Sequence, residues 1–427
     1  MRVWQGVPAG LRRFAAKFNA CAHQRLSSRV NGGRARNDEP KWWHNSQVSA
    51  RRAAALALSI CLSSAPILAT DPPQDSRAKT SYERALEMEH RANYSAALSL
   101  LWDAAALAPR DAEIQNALGE ALEHIGALDS AITAYRAALA AQSDFRKASN
   151  NLILALVKAG NGTEAVARAR ALAAAAPNDP ERHFTLALAQ SEQDVSGAIE
   201  SFRRTLALAP RHVLARYNLA LTLSRVDRAD DAIDELRRAI EIEARPEMYY
   251  ALGVIYWHEG DLDRAAAALQ EAVSRNDRYA EAYYTLGVVL KGKRDWKGSS
   301  AALGRAIATR PDFREAHDTL AQVLQLAGDT PRAREEFERA GKLRQQAALE
   351  QEASVLTAAG AQQLERGELR PALETFRRAT RLLNSYAPAF YQMGRALDAL
   401  GQPGAAREAF GRAQQLNPSL LPPRNIP

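Results

Sequence analysis

The chain has 427 residues, 47% of them hydrophobic but only 7% aromatic, so its core must consist mainly of Ala and Leu. Such a core favours closely packed helices over sheets. The net charge of +7 originates in residues 1–52, which carry eleven Lys and Arg against two acidic residues; the remainder is close to neutral. A nucleic-acid-binding surface needs basic residues clustered on one face, whereas this body interleaves both signs, so we expect no nucleic-acid partner.

An uncharged stretch, residues 53–69, follows a pair of arginines. A basic flank, a short apolar core and a small residue at its end are typical of a secretory signal. We therefore predict a signal peptide over residues 51–69, cleaved after Ala69, and a linker over residues 70–77. Cleavage would release the chain into a bacterial periplasm, whereas an uncleaved signal would anchor it in the inner membrane.

The fifty residues in front of this signal are more than a signal peptide needs. Either translation starts near Val48, or residues 1–50 are a basic disordered extension that forms the cytoplasmic tail of an uncleaved anchor. Two further interpretations are an organelle transit peptide over residues 1–37 and an Ala-rich core helix in place of the signal. Cys21 and Cys61 are the only cysteines and both precede the cleavage site, so the exported chain would form no disulfide.

From residue 78 onward, small residues recur with a period near 34. In one set, Gly or Ala follows Leu or Met: Leu118-Gly119, Leu186-Ala187, Leu219-Ala220, Leu252-Gly253, Leu286-Gly287, Leu320-Ala321 and Met393-Gly394. In a second set, Ala occupies the next helical stretch: Ala97, Ala131, Ala165, Ala198, Ala232, Ala265, Ala333, Ala372 and Ala406. Small residues at these positions let two antiparallel helices approach closely, while glycine turns and prolines end the helices.

The stretch 280–313 has Leu286-Gly287, Ala306 and Pro311 in the positions of the pattern W-x₂-L-G-x₂-Y…A-x₃-F…P. In this it resembles the tetratricopeptide repeat family. The resemblance implies an all-α fold, an α-solenoid in which about ten helix pairs form a right-handed superhelix. A single pair cannot bury its apolar face, so neighbouring pairs are expected to stack and share one core.

The repeat boundaries divide the rest of the chain. We assign units 1–8 to residues 78–348, units 9 and 10 to residues 349–420, and a C-terminal tail to residues 421–427. At the junction the period stretches to 39, and no proline occurs in residues 332–370. This predicts a prolonged helix that joins units 8 and 9 and offsets the last two units. The alternative is a surface extension without structural consequence.

The sequence contains no motif for catalysis. It has no phosphate-binding glycine loop, no His-Glu-x-x-His pair and no Gly-x-Ser-x-Gly turn. Its histidines are scattered, and its acidic residues lie on polar helix faces. We therefore expect no enzyme activity, no catalytic residues, no cofactor and no metal site.

The resemblance also implies which face binds a partner. In such repeats the first helix of each pair lines the concave surface, and the residue two positions before the Leu points into the groove. Reading off this position, with one aromatic residue a further seven along, predicts a binding groove formed by Phe184, Tyr217, Tyr250, Trp257, Tyr284 and Tyr391. Aromatic side chains supply large contact areas at interfaces. The alternative is that they only fill gaps between the first helices.

Two familiar groove types of this family do not match. A clamp for C-terminal carboxylates needs Lys, Asn and Arg in successive units, and an asparagine ladder needs Asn before each Leu. Asn151 and Asn218 stand in that position, but the units next to them hold Ala or Thr there. Neither ligand class is expected.

The predicted function is a non-catalytic scaffold that binds an unidentified protein or peptide partner in the concave groove. A second hypothesis is an accessory subunit of an envelope polysaccharide-assembly or secretion system that contacts a glycan, and a third is a regulatory subunit of an enzyme. Membrane contact is expected only through an uncleaved signal anchor. Self-association stays open.

Overall fold

The computed structural model describes residues 74–91, 93–417 and 420. The predictions for residues 1–50, for the signal at 51–69 with its cleavage site, and for the tail at 421–427 fall outside this part. Every regular element within it is an α-helix, and the helices pair and stack along the chain, so the predicted all-α solenoid, a right-handed superhelix of tetratricopeptide-like pairs, is confirmed.

The helices of the described residues are numbered here in chain order. They are α1 (Gln74–His90), α2 (Tyr94–Leu107), α3 (Ala112–His124), α4 (Leu128–Ala141), α5 (Arg146–Lys158), α6 (Gly162–Ala175), α7 (Pro180–Gln190), α8 (Val195–Leu208), α9 (Val213–Ser224), α10 (Ala229–Ile242), α11 (Pro246–His258), α12 (Leu262–Arg275), α13 (Ala280–Gly292), α14 (Trp296–Thr309), α15 (Arg314–Leu326), α16 (Thr330–Glu365), α17 (Leu369–Leu382), α18 (Ala387–Ala399) and α19 (Pro403–Leu416). Units 1 to 7 are the pairs from α1/α2 to α13/α14. Unit 8 is α15 with the start of α16, unit 9 is the end of α16 with α17, and unit 10 is α18/α19.

One boundary differs from the expectation. Helix α1 begins at Gln74, so residues 74–77 are helical, and their assignment to a linker is wrong. Two prolines immediately precede the helix, and Asp75 lies in its first turn, where a carboxylate interacts favourably with the helix dipole. These start signals move the helix boundary four residues towards the N-terminus.

Glycine turns reverse the chain inside most units. Gly260, between α11 and α12, has a φ of 81°, and the next residue, Asp261, donates its N–H to the carbonyl of Tyr256 at 2.9 Å. Glycine adopts this left-handed conformation without the steric penalty of a Cβ. Asp227 and Arg294 occupy the equivalent place in units 5 and 7, with φ values of 56° and 61°. Those two turns therefore carry strain that the glycine turns do not.

Small residues allow the two helices of a unit to touch. A Cβ built on Gly287 of α13 would lie 2.6 Å from Cγ of Leu303 on α14. Leu303 is fully buried, and it occupies the space that a side chain at position 287 would need. Close helix packing in this unit therefore depends on a glycine.

The first helices form the inner side of the stack. Through much of the array neighbouring first helices contact each other, whereas neighbouring second helices make at most marginal contact. A stack that is closer on one side curves towards that side, so the first helices line the concave surface. Within the described part of the chain, none of the helices combines the length and apolarity that crossing a bilayer requires.

The prolonged helix predicted at the junction is confirmed. Helix α16 runs for 36 residues and serves both as the second helix of unit 8 and as the first helix of unit 9. None of residues 341–352 in its middle is buried. The hydrophobic core of unit 8 ends at Ala333, and a separate core begins with Ala372 and Leu373. The extension therefore interrupts the core.

Candidate binding groove

Four of the predicted groove residues occupy equivalent positions on the first helices of units 4 to 7. We call them the aromatic row: Phe184, Tyr217, Tyr250 and Tyr284. Three of these rings pack against the residue that immediately precedes the next first helix. The ring-centroid distances are 4.7 Å for Phe184–His212, 5.1 Å for Tyr250–Tyr279 and 4.9 Å for Tyr284–Phe313. The row therefore connects successive units.

The members of the row differ in exposure. Tyr250 and Tyr284 are only 9% and 6% exposed, while Phe184 and Tyr217 are half-buried. Filling the space between first helices is thus part of what these side chains do. The accessible part of the row lies towards its N-terminal end.

The two remaining predicted groove residues have different surroundings. Trp257 lies two turns beyond Tyr250 on α11, is half-buried, and has its ring centroid 5.6 Å from that of His258. Tyr391 lies on α18, beyond the long helix, and packs edge-on against Phe410 at 5.3 Å. Trp257 therefore shares a helix with the row, whereas Tyr391 belongs to the separate core of units 9 and 10.

A second line of apolar side chains accompanies the row one helical turn further along each first helix. We call it the aliphatic row: Leu188, Leu221, Val254 and Val288. Leu188 is buried, and the other three are half-buried. Residues four apart lie on the same face of a helix, so the two rows run side by side. Together they form an apolar strip across four units.

Two tyrosines of the row lie close to a threonine of the following unit. Thr285 acts to lower the pKa of Tyr250, and Thr319 acts in the same way on Tyr284; each threonine stands one position before the Leu of its unit. The same position in unit 6 holds Ala251, which has no polar side chain. Accordingly, Tyr217 makes no hydrogen bond through its hydroxyl with any of the described residues.

Carboxylates stand near the start of the first helices, one turn before the row. Glu281 pairs with Arg310 at 2.7 Å, and Glu315 pairs with Arg314 at 2.5 Å. Glu181 contacts the His212 ring nitrogen at 3.2 Å. Glu247 differs from these three because it has neither an ion pair nor a side-chain hydrogen bond among the described residues.

Burial keeps the tyrosines of this region protonated. Desolvation raises the pKa of Tyr250 to about 12, and it raises the pKa of Tyr217 and of Tyr279 further above the usual value. The carboxylate of Glu247 acts in the same direction on the pKa of Tyr217 and Tyr279, because a negative charge disfavours a phenolate. These phenols therefore act as neutral hydrogen-bonding groups at physiological pH.

A further depression lies at the turn edge of the stack. A cavity of about 820 Å³ opens at the turn edge of units 5 to 7, beside Tyr256. Asp261 pairs there with Arg264 at 2.5 Å, and Asp263 pairs with Lys293 at 2.6 Å. Charged residues of the turns make up most of its lining, and Asp230 and Glu259 lie outside these two pairs. It offers no apolar surface comparable to the strip in the groove, so it is a weaker candidate than the groove. No group of three or more potential metal-ligating side chains occurs among the described residues.

Comparison with known families agrees with this geometry. Models described as tetratricopeptide repeat match residues 76–145, 129–180, 150–212, 183–249 and 217–281, then 256–323, and then 387–420. The chain belongs to the tetratricopeptide repeat family. The matched segments leave out residues 324–386, which contain the whole of the long helix α16.

Several solved structures are similar over parts of the chain. A tetratricopeptide repeat protein from Parabacteroides merdae is 16% identical, with a TM-score of 0.47 over 58% of this chain and 99% of that one. A MamA chain from Desulfovibrio magneticus is 24% identical, with a TM-score of 0.35 over 39% of this chain and 95% of that one. Yeast Tom70 is 13% identical, with a TM-score of 0.37 over 80% and 92%. No curated protein matches the chain.

Sequence reasoning missed two groups in the groove, Glu247 and Tyr279. Tyr279 immediately precedes α13, so a pattern limited to positions within first helices does not include it. Tyr279 follows Tyr250 by 29 residues, the same separation as between Tyr284 and Phe313, whose rings also pack together. An aromatic residue at this separation in the sequence is therefore the signal that identifies it.

Proposed function

We propose that the protein is a non-catalytic scaffold that holds a segment of a protein partner against the aromatic and aliphatic rows. A stack of tetratricopeptide repeats is in general a protein-interaction scaffold, and the finer proposal is the surface that it uses. The observation that carries it is the apolar strip across units 4 to 7, which stays half-exposed at Tyr217, Val254 and Val288.

An extended or helical segment suits this strip. The two rows present aromatic and aliphatic side chains in a repeating register, so one segment can contact several units at once. Aromatic anchors surrounded by apolar contacts supply most of the affinity of protein interfaces. A contact across four units is compatible with the roughly 1,600 Å² that a specific interface buries.

The glycan hypothesis is less well supported by the same surface. Sugar rings stack on exposed aromatic faces, but Tyr250 and Tyr284 are 9% and 6% exposed. The aliphatic row offers little hydrogen bonding to hydroxyl groups. A peptide with apolar side chains is the better match.

Photo-crosslinking in cells tests the proposal. We expect a photoreactive amino acid at position 217 or 257 to trap a protein partner, and one at Ala267, exposed on the second helix α12, to trap none of the same species. The variant Val254→Glu is expected to abolish this capture, whereas Ala267→Glu retains it. Ala267→Glu is expected to keep the unfolding temperature. Thermal melting of Val254→Glu is measured alongside, so that loss of capture by a folded protein is distinguished from unfolding. Equal capture from positions 217 and 267 would contradict the proposal.

We also propose that the signal at 51–69 exports the protein to the periplasm. Its support is the basic flank, apolar core and terminal Ala69 in the sequence. We expect mass spectrometry of the protein from the periplasmic fraction to give the intact mass of a chain that begins at Thr70. Recovery of the longer chain in the membrane fraction would instead indicate an uncleaved anchor.

A further inference from the structure

Two neighbouring positions of the groove have the same architecture but differ in how their polar groups are satisfied. The Phe313 notch, between units 7 and 8, consists of Glu281, Tyr284, Arg310 and Phe313. The Tyr279 notch, one unit earlier, consists of Tyr217, Glu247, Tyr250 and Tyr279. Glu247 and Glu281 are equivalent in the repeat, as are Tyr250 and Tyr284.

The Phe313 notch is internally complete. Arg310 donates from Nη1 to Oε1 of Glu281 at 2.7 Å, and its guanidinium lies 3.5 Å from the centroid of the Phe313 ring. Thr319 lies close to the Tyr284 hydroxyl and acts to lower its pKa. A cation from the chain itself thus sits between a carboxylate and an aromatic face, a favourable arrangement for a guanidinium.

The Tyr279 notch lacks that cation. The residue equivalent to Arg310 is Asn276, which also follows the last residue of a second helix and has nearly the same backbone angles, with φ −142° and ψ 96° against −137° and 92°. Asn276 accepts the backbone N–H of Arg278 at 3.1 Å and leaves Glu247 without a partner. A neutral side chain therefore stands where the next unit supplies a positive charge.

A buried hydroxyl in the same notch is also unsatisfied. Tyr279 is only 6% exposed, and its Oη has no hydrogen-bond partner among the described residues. The polar groups closest to it in electrostatic terms are Tyr250, Tyr217, Glu247 and Glu281, which are acidic or neutral. Buried polar groups without partners are costly and uncommon, so a polar group of a bound partner that reached this hydroxyl would gain a hydrogen bond.

We infer that the Tyr279 notch binds a lysine or arginine side chain of the partner. The inference rests on the proposed groove function and names the chemistry of one contact. An ammonium or guanidinium would donate to the Glu247 carboxylate and to the phenol oxygens of Tyr217 and Tyr279, and would lie against the tyrosine rings. The partner would thereby supply the group that Arg310 supplies one unit further along. The adjoining rows would take apolar residues on either side of it.

A display library of random nonapeptides tests the inference without a known partner. The full chain is used as bait, and the enriched peptides are sequenced. We expect apolar residues with a Lys or Arg at one fixed position. Replacing that residue by norleucine in a synthetic peptide is expected to weaken binding about tenfold or more, as loss of a hydrogen bond to a charged group does.

Matched variants locate the contact. Glu247→Gln and Asn276→Arg are each expected to remove the preference for a basic residue, the second by placing an internal cation beside Glu247. Glu315→Gln, at the equivalent helix position two units away, and Asn276→Gln, which adds no charge, are expected to keep it. Circular dichroism melting is measured for every variant, and Asn276→Arg is expected to melt no lower than the wild type.

The outcomes separate the two proposals. Enriched apolar peptides without a basic position, or a basic position that survives both Glu247→Gln and Asn276→Arg, would overturn the inference and leave the groove function standing. If the wild-type chain enriches no peptide more strongly than a chain carrying Val254→Glu, both the inference and the proposed groove function would be overturned.

Discussion

The regular stack of units 4 to 7 and the junction at α16 are built from the same kind of helix, yet they are stabilised differently. In the stack, each second helix turns back, packs against the next first helix, and buries a shared core that extends from Ala187 to Ala302. At the junction the second helix of unit 8 continues without a turn and becomes the first helix of unit 9, and none of residues 341–352 in its middle is buried. A solenoid core therefore depends on the turn at each boundary, because that turn sets adjacent helices side by side.

The largest difference in stability between the stack and the junction is expected when an apolar side chain is shortened to alanine. Leu303→Ala, in the stack, removes a fully buried side chain and is expected to lower the free energy of unfolding by about 2–5 kcal/mol. Val355→Ala, at the junction, removes a side chain that is 58% exposed and is expected to change it by less than about 0.5 kcal/mol. Urea titrations of both variants measure the difference. Comparable losses would mean that the junction is packed.

A proline inside α16 tests the helix as a connector. Ala347→Pro removes a helix hydrogen bond in a segment without buried side chains, at a cost of about 3 kcal/mol for that helix. The two cores share no buried contact there, so units 9 and 10 are expected to unfold separately from units 1 to 8. Calorimetry would then resolve two transitions. Ala347→Gly is the milder control, and a single lowered transition in the proline variant would contradict the expectation.

Replacing a glycine by alanine is expected to lower the free energy of unfolding in the stack and to raise it at the junction. Gly287→Ala introduces a Cβ 2.6 Å from Leu303 and is expected to cost about 1–3 kcal/mol. Gly341→Ala, in the middle of α16, meets no atom within 4 Å and is expected to gain about 1 kcal/mol from helix propensity. Thermal melts of the two variants measure the direction of each change in stability. A loss at Gly341 would indicate a contact that the structure does not contain.

The smallest expected effect concerns the turns of the stack. Arg294 adopts a left-handed φ of 61°, so Arg294→Gly is expected to raise the free energy of unfolding by about 1 kcal/mol. Gly260→Ala, in the equivalent turn of the previous unit, is expected to lower it by a similar amount. Lys293→Gly, next to Arg294 but with φ of −76°, is the control and is expected to give no gain. Equal changes at 293 and 294 would argue against backbone strain as the cause.

Much of the architecture could be predicted because it depends on the spacing of small residues and prolines within one or two units. The Leu-Gly and Ala positions set the close approach of paired helices, and the missing prolines between residues 332 and 370 predicted the long helix α16. The start of α1 was misplaced by four residues because the acidic residue at Asp75 was not used as a start signal.

The candidate site was predictable only in part. The period of the repeat was enough to locate Phe184, Tyr217, Tyr250 and Tyr284 in one row. It could not show that two of them are nearly buried, since their exposure depends on the residue that precedes the next first helix.

By itself, then, the sequence determined the repeat family, the helix pairing and the interruption after unit 8, since these follow from periodicity within one or two units. Only the tertiary structure decided which polar groups of the groove have partners. Glu247 and Glu281 occupy the same position in the repeat, but stacking pairs only Glu281 with a cation, Arg310. The residue equivalent to Arg310 one unit earlier is the neutral Asn276. Arg310 follows Glu281 by 29 residues, and only the geometry of stacked units brings residues so far apart in the chain together.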